Sequence, residues 1–381
     1  YTMSVNGDTI DLTGTFTWTD ADETGDVVYS GYTISNNLTI QGQDPNNTII
    51  QADPSPETAD RRVFNIENNT KVTFKNLMIR HGRAFDGYIG TTSYSYPGGA
   101  IGSEGGWKET DVTLYNVLID SNYSVGRAAA GVRLSGRFSA TNCTFQNNKA
   151  DEASENQGIA LHLYEPEEKE SRNIINCTFY NNTSDNDSSP AVFVDRKGAN
   201  FINSTFLNNT NGIKAYAMRY TNSKPALNIV NCILANSAGY DLYNRGPYSN
   251  GIKCTNSIVE VEKAGGYAVT FVSSLTGDQP LLSVTSSISN EGNDNLTPYV
   301  KLATNSVAIN AGVTGNFGSA QSGGTITVPL TDQRGATRIG NIDIGSYEFG
   351  GTLDTTIPVI ALSGDDIVTI EVGSTYNDAG A

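Results

Sequence analysis

FKNLMI at 74–79, LYNVLI at 114–119, ATNCTF at 140–145, IINCTF at 174–179, FINSTF at 201–206, IVNCIL at 229–234 and CTNSIV at 254–259 are versions of one string. Each is centred on an asparagine: Asn76, Asn116, Asn142, Asn176, Asn203, Asn231 and Asn256, with spacings of 40, 26, 34, 27, 28 and 25. A repeat near 25 residues that tolerates insertions predicts stacked coils of strand, a solenoid. Four and two residues before the asparagine the chain is mostly apolar, as at Val72/Phe74, Val112/Leu114 and Leu227/Ile229. After it the apolar slots are one and three residues on, as at Leu77/Ile79, Val117/Ile119 and Cys177/Phe179. One strand keeps one parity throughout, so the chain bends at the asparagine. We expect these side chains to point inward and to hydrogen-bond one another along the axis. Phe145, Phe179 and Phe206 are expected to stack in the core, and Thr144, Thr178 and Thr205 to lie half-exposed.

Working outward, GGAIGS from 98, AGVRLS from 130, GIALHL from 158, PAVFVD from 190 and NGIKAY from 211 read as a third strand. The fold class is therefore all-β, a parallel β-helix of three strands per coil. About ten coils at about 4.8 Å give a rod about 50 Å long. Insertions gather at two edges: after the asparagine strand (83–97, 149–157, 183–189) and after the third strand (102–110, 165–171, 216–225). Loops on chosen edges of a rigid column are where binding is expected.

Residues 1–349 read as this column with an N-terminal cap and a C-terminal closing segment. Residues 350–357 read as a linker, and 358–381 as the start of an immunoglobulin-like β-sandwich that ends before its sheet can close, so the native protein is expected to continue. The chain has 24 basic and 40 acidic residues, a formal charge of −16. Such a surface disfavours nucleic acid and anionic lipid as partners, and no apolar run is long enough for direct membrane insertion. No basic-plus-apolar leader opens the sequence at Tyr1.

Four cysteines stand at 143, 177, 232 and 254. Cys143, Cys177 and Cys232 occupy the slot that holds Leu77, Val117, Ser204 and Ser257 in other coils, which favours a buried, unbridged ladder; a Cys143–Cys177 bridge between neighbouring coils stays open. Zinc is disfavoured by the lack of a CxxC pair and by only two histidines, His81 and His162.

The repeats, with GGAI at 98–101 and FxxN at Phe145–Asn148, Phe179–Asn182 and Phe206–Asn209, resemble right-handed parallel β-helix repeats of bacterial polymorphic outer-membrane proteins and polysaccharide-active proteins. SVAINAG at 306–312 and DQRGATRIGNIDIGSYEF at 332–349 are similar to the end of the "choice-of-anchor Q" β-helix proteins, frequent in Bacteroidota. The resemblance covers about 1–349 and implies an extracellular or bacterial cell-surface protein, possible cargo of a secretion or gliding-motility apparatus. It also implies that Asp332, Arg334, Arg338, Asp343 and Glu348 form a structural ion-pair cluster.

The pectin-hydrolase arrangement needs NTD, DD and GHG strings in register, and none is present; a lyase could draw on Arg80, His81, Arg83 and Asp86. The insertion at 83–99 carries Phe85, Tyr88, Tyr94 and Tyr96, with Trp107 in the next loop. Rings beside Asp and Asn suit the faces and hydroxyls of sugars, and an acidic surface suits neutral glycans. Tyrosines that merely pack the loop onto the column would look the same. Tyr216, Tyr220, Tyr240, Tyr243 and Tyr248 form a second aromatic group. No cofactor is required. The acidic turns at Asp20, Asp22 and Asp26 (with Glu23), at Asp185 and Asp187, and at Glu291–Asp294 are candidate calcium sites, none with EF-hand spacing, and solvated turns would look the same. The expected role is a non-catalytic adhesin that binds a glycan or other cell-surface ligand. The alternatives are a polysaccharide lyase or hydrolase and a structural spacer of a surface fibre.

Overall fold

The computed structural model describes residues 5–18, 30–89, 92–103, 110–126, 129–151, 157–164, 172–187, 189–196, 198–217, 227–246, 251–263, 266–277, 284–289, 296–320 and 324–353. The immunoglobulin-like stretch 358–381 lies outside them. Among the described residues every regular element is a strand, and most of the strands stack in parallel into a β-helix. One ladder, preceding the asparagine corner, runs Asp8–Leu12, Leu38–Gly42, Lys71–Arg80, Thr110–Asp120, Val132–Thr141, Arg172–Ile175, Ala199–Ile202, Leu227–Val230, Ile252–Thr255 and Thr270–Val272. A second ladder follows the corner, and a third runs from Tyr32–Ile34 to Leu242–Asn244.

Parity changes at the asparagines as the apolar pattern requires. All seven have positive φ, from 43° to 55°, the left-handed region that asparagine tolerates better than most residues. Val72, Phe74, Val112 and Leu114 before the corner, and Leu77, Ile79, Val117 and Ile119 after it, are fully buried in one continuous core. Phe179 stacks between Phe145 at 4.7 Å and Phe206 at 4.4 Å, with ring planes within 3° of parallel. All four cysteines are free and buried. In the slot after the asparagine, Cys143, Cys177 and Cys232 donate to the carbonyls of Thr141, Ile175 and Val230, as the Ser204 and Ser257 hydroxyls do to Ile202 and Thr255. Cysteine and serine are thus alternative fillings of one small polar-backed slot.

Two expectations are corrected. First, the corner asparagines do not point inward. Their amides do pair along the axis, Asn116 with Asn76 at 3.1 Å, Asn176 with Asn142 at 3.2 Å and Asn231 with Asn203 at 2.9 Å. Yet they also meet residues that lie outside the column: Asn176 Nδ2 donates to the Thr331 carbonyl at 3.0 Å and Asn231 Nδ2 to that of Val313 at 2.8 Å, while Asn256 Nδ2 meets the Ala311 carbonyl at 3.4 Å. The inward ladder is six residues on. Asn122, Asn148, Asn182 and Asn209 are buried and joined at 3.0, 2.9 and 2.9 Å. Asn148, Asn182 and Asn209 are the asparagines of the FxxN strings. Between the two ladders a second left-handed corner recurs at His81, Ser121, Asn147, Asn181, Asn208 and Asn236.

Second, Thr144, Thr178 and Thr205 are buried, not half-exposed. The closing segment folds back along the outside of the column as a strap. Thr144 donates to the Pro298 carbonyl, Thr178 to Gln333 at 2.6 Å, and the Ser346 amide donates to Thr205 at 3.0 Å. Val300, Leu302, Ala308 and Ile344 of the strap pack on Leu207, Ile233 and Ile258, and Ile326, Val328 and Ile342 pack on Ile202 and Val230. Its ion pairs knit the strap to itself: Arg334–Asp332 at 2.8 Å and Arg338–Glu348 at 3.1 Å, all four side chains nearly inaccessible. The Asp343 amide donates to Glu348 at 2.9 Å, and Arg338 also reaches Asn176 on the corner at 3.3 Å.

Candidate functional site

Past the second corner, four coils carry an extra strand where plain insertions were expected. Arg83–Ile89, Tyr123–Gly126, Lys149–Asp151 and Thr183–Ser184 form a short parallel side sheet. Its inner positions are small, with Ala84, Ser124 and Ala150 fully buried, because the side sheet sits close against the column. Its first strand continues into a hairpin with Thr92–Tyr96, in the register Phe85↔Tyr96, Gly87↔Tyr94 and Tyr88↔Ser93. Period-2 alternation puts positions 85, 94 and 96 on one face of the hairpin and position 88 on the other. The chain returns through Gly98, whose φ of 84° suits a residue without a Cβ.

The backbone thus brings Phe85, Tyr88, Tyr94 and Tyr96 together on one hairpin. Trp107 lies outside the described residues. So do Asp20, Asp22, Glu23, Asp26 and Glu291–Asp294, and with them two of the calcium turns. Among the described residues no group of three or more His, Cys, Asp or Glu is placed to hold a metal ion; Asp187 offers its backbone carbonyl to Asn211 at 2.7 Å.

At the foot of the hairpin the outer row of the side sheet runs Arg83, Tyr123, Lys149. The Arg83 guanidinium and the Lys149 ammonium each sit 5.6 Å from the centre of the Tyr123 ring, one on each neighbouring strand. The Tyr123 hydroxyl donates to Asp151 at 2.6 Å. Burial, then that bond, push its phenol up to about 12, so it remains a hydrogen donor at any physiological pH. Lys149 pairs with Glu57 at 3.2 Å and with Asp151 at 3.7 Å, and the Glu57 bond raises its pKa. Arg83 Nε is buried and has no hydrogen-bond partner among the described residues. The outcome is a ring with a cation over it from each neighbouring strand, its hydroxyl held by Asp151, and Glu57 paired with Lys149, at the base of the hairpin.

No protein-family model matches this chain. No curated protein matches it either.

Arg80 and His81 do not join this group. Arg80 donates to Gln51 at 2.7 Å on the outer face of the column, and His81 occupies the left-handed corner with Nδ1 2.9 Å from the Asp53 carbonyl. Desolvation lowers the His81 pKa. Asp86 takes a strand position paired with Gly126 and Ser95. Sequence reasoning missed Tyr123, Lys149, Asp151 and Glu57. The signal was present for two of them: Tyr123 and Lys149 directly follow Asn122 and Asn148 of the inward ladder, in the outward slot of the next strand.

Proposed function

We propose that the chain is a non-catalytic, carbohydrate-binding β-helix of an extracellular or cell-surface bacterial protein, an adhesin module that presents the 83–96 hairpin and the adjoining side sheet to a glycan. The reading rests on the arrangement around Tyr123. The ring edge and the aliphatic stems of Arg83 and Lys149 beside it offer apolar area to sugar C–H groups, while the charged ends of Arg83, Lys149, Asp151 and Glu57 supply hydrogen-bonding partners. The rigid column fixes these groups without an ordering cost at the moment of binding. The similarity of 306–312 and 332–349 to the choice-of-anchor Q closing segment supports the surface or secreted setting and a link to secretion, anchoring or gliding-motility machinery. The lyase alternative is weakened, because Arg80, His81 and Arg83 face different neighbours.

The test is a glycan array probed with the purified chain, with and without calcium, reading retention and cleavage together. Retention without cleavage, lost in Tyr123→Ala and in a Tyr94→Ser/Tyr96→Ser double variant of unchanged folding, is the expected result. Cleavage would replace the adhesin with a lyase or hydrolase, and silence on every glycan would leave a spacer.

A further inference from the structure

Inside the column, at one corner, two thiols face each other from neighbouring coils. Register is fixed on both sides of that corner: Ala140 and Thr141 pair with Ile174 and Ile175, and Thr144 and Phe145 with Thr178 and Phe179. Between them the Asn176 amide meets Asn142 at 3.2 Å, and the Thr178 amide donates to the Cys143 carbonyl at 3.0 Å. Cys143 and Cys177 are therefore axial neighbours in one inward slot. Adjacent coils lie about 4.8 Å apart, within the Cα separation of about 4.4–6.8 Å that a disulfide spans. The Cys177 sulfur leans toward the other coil, 3.5 Å from the Ala140 carbonyl as well as 3.2 Å from that of Ile175, and its thiol interacts with that of Cys143.

The other two cysteines have no such neighbour. Cys232 occupies the same slot between Ser204 and Ser257. Cys254 stands in a different row, between Ile229 and Phe271, and senses the Cys232 thiol only from across the corner and one coil on. Cys143 and Cys177 are fully buried, and the strap closes over the outside of their corner. Thr297 donates to the Asn142 carbonyl at 2.9 Å, and Gln333 to the Thr144 hydroxyl at 2.8 Å. Burial, then Cys143, hold the Cys177 thiol well above its usual range, so the folded chain offers an oxidant no thiolate there. A bridge between these two sulfurs has to form earlier, while the thiols are still in water and the coils are pairing.

We propose that Cys143 and Cys177 form a modification site that acts during folding: a disulfide between neighbouring coils, made when the chain folds in an oxidising setting and absent when it folds in a reducing one. The oxidant is a disulfide, either a small molecule or one carried by a thiol oxidoreductase. One cysteine thiolate attacks it and releases the first oxidant thiol. The second cysteine thiolate then attacks the mixed disulfide and releases the other. Two cysteine thiols thus give up two protons and two electrons, and the oxidant's disulfide is reduced to two thiols. Closing the bridge gives up only the sulfur contacts to the Thr141 and Ile175 carbonyls. In return it ties off the stretch that carries the insertions at 149–157 and 165–171, which restricts the unfolded chain.

The experiment produces the full chain twice, once exported to an oxidising compartment and once in a reducing cytoplasm. Each product is denatured in an alkylating agent and its peptides are mapped without reduction. The exported chain is expected to give one linked pair, joining the peptides of Cys143 and Cys177 and lighter by two hydrogens, with Cys232 and Cys254 alkylated. The cytoplasmic chain is expected to show four alkylated cysteines, and to show them still after incubation, folded, with oxidised glutathione. The exported chain is also expected to melt at the higher temperature. Cys177→Ser, a residue the slot already accepts at 204 and 257, should remove both the link and that difference, whereas Cys232→Ser should keep both. The proposal is overturned if Cys143 and Cys177 are alkylated in the exported chain, or if any other pair is linked. Bridging of the folded cytoplasmic chain by glutathione would also overturn it, since the site would then not belong to folding.

Discussion

Along the asparagine corner the chain covers its own polar outer face with the strap at 297–349, whereas one corner further round it leaves Arg83, Tyr123 and Lys149 only half-buried. Both surfaces begin as outward slots of parallel strands, and both carry polar side chains. At the strapped edge the hydroxyls of Thr144, Thr178 and Thr205 are consumed by hydrogen bonds within the chain. At the side sheet the polar groups are charged, cluster about one ring and stand at the base of the hairpin. A polar outward row therefore does not by itself point to a binding face; the face proposed here is a polar row that the strap does not cover.

The largest effect is expected at the strap. Arg338→Met leaves Glu348 buried without its cation, a loss of about 3–5 kcal/mol, read by chemical denaturation. Glycan retention at the side sheet is expected to survive it below the unfolding transition. If retention vanished together with the strap, the two edges would not be independent. Next comes Asn182→Ala in the inward ladder. It removes bonds to Asn148, Asn209 and the Phe145 carbonyl, and the unpaired buried groups are expected to cost about 3 kcal/mol.

A pH sweep gives a somewhat smaller effect. Asp241, buried at the turn into the third sheet, is pushed up to about 6 by desolvation. A carboxyl raised in the folded state favours folding fully below its unfolded pKa, and this contribution is lost as the pH rises from about 4 through 6. The loss is about 2 kcal/mol, and Asp241→Asn is expected to flatten that part of the stability curve. The finest comparison lies within the corner itself. Asn76→Ala gives up a left-handed residue outside the strap, at about 1 kcal/mol. Asn231→Ala also orphans Val313 of the strap and should cost about 2 kcal/mol. Equal losses would show that the strap adds nothing to the corner.

The column was legible because its signals are local. Parity around Asn76 to Asn256 located the corner and the core rows, and the stack of Phe145, Phe179 and Phe206 followed from register alone. What escaped was set by distant contacts. Nothing near Thr178 announces Gln333, which arrives from 155 residues away. The direction of the asparagines was misread for a related reason: an amide ladder can form on either side of a corner, and only the strap shows which. The FxxN asparagines carried the inward ladder in plain view, but their period equals that of the corner, so spacing could not rank the two. The hairpin was visible as an aromatic insertion, yet its platform was not, since Tyr123 and Lys149 come from separate coils and meet only through register, and Glu57 reaches Lys149 from a distant turn.

The most direct test of the binding account is hydrogen–deuterium exchange of the chain with and without a glycan retained on the array. Added protection within 83–96, 123–126 and 149–151, with 297–349 unchanged, is the predicted result. Protection confined to the strap, or a retained glycan that protects neither the hairpin nor the side sheet, would contradict it.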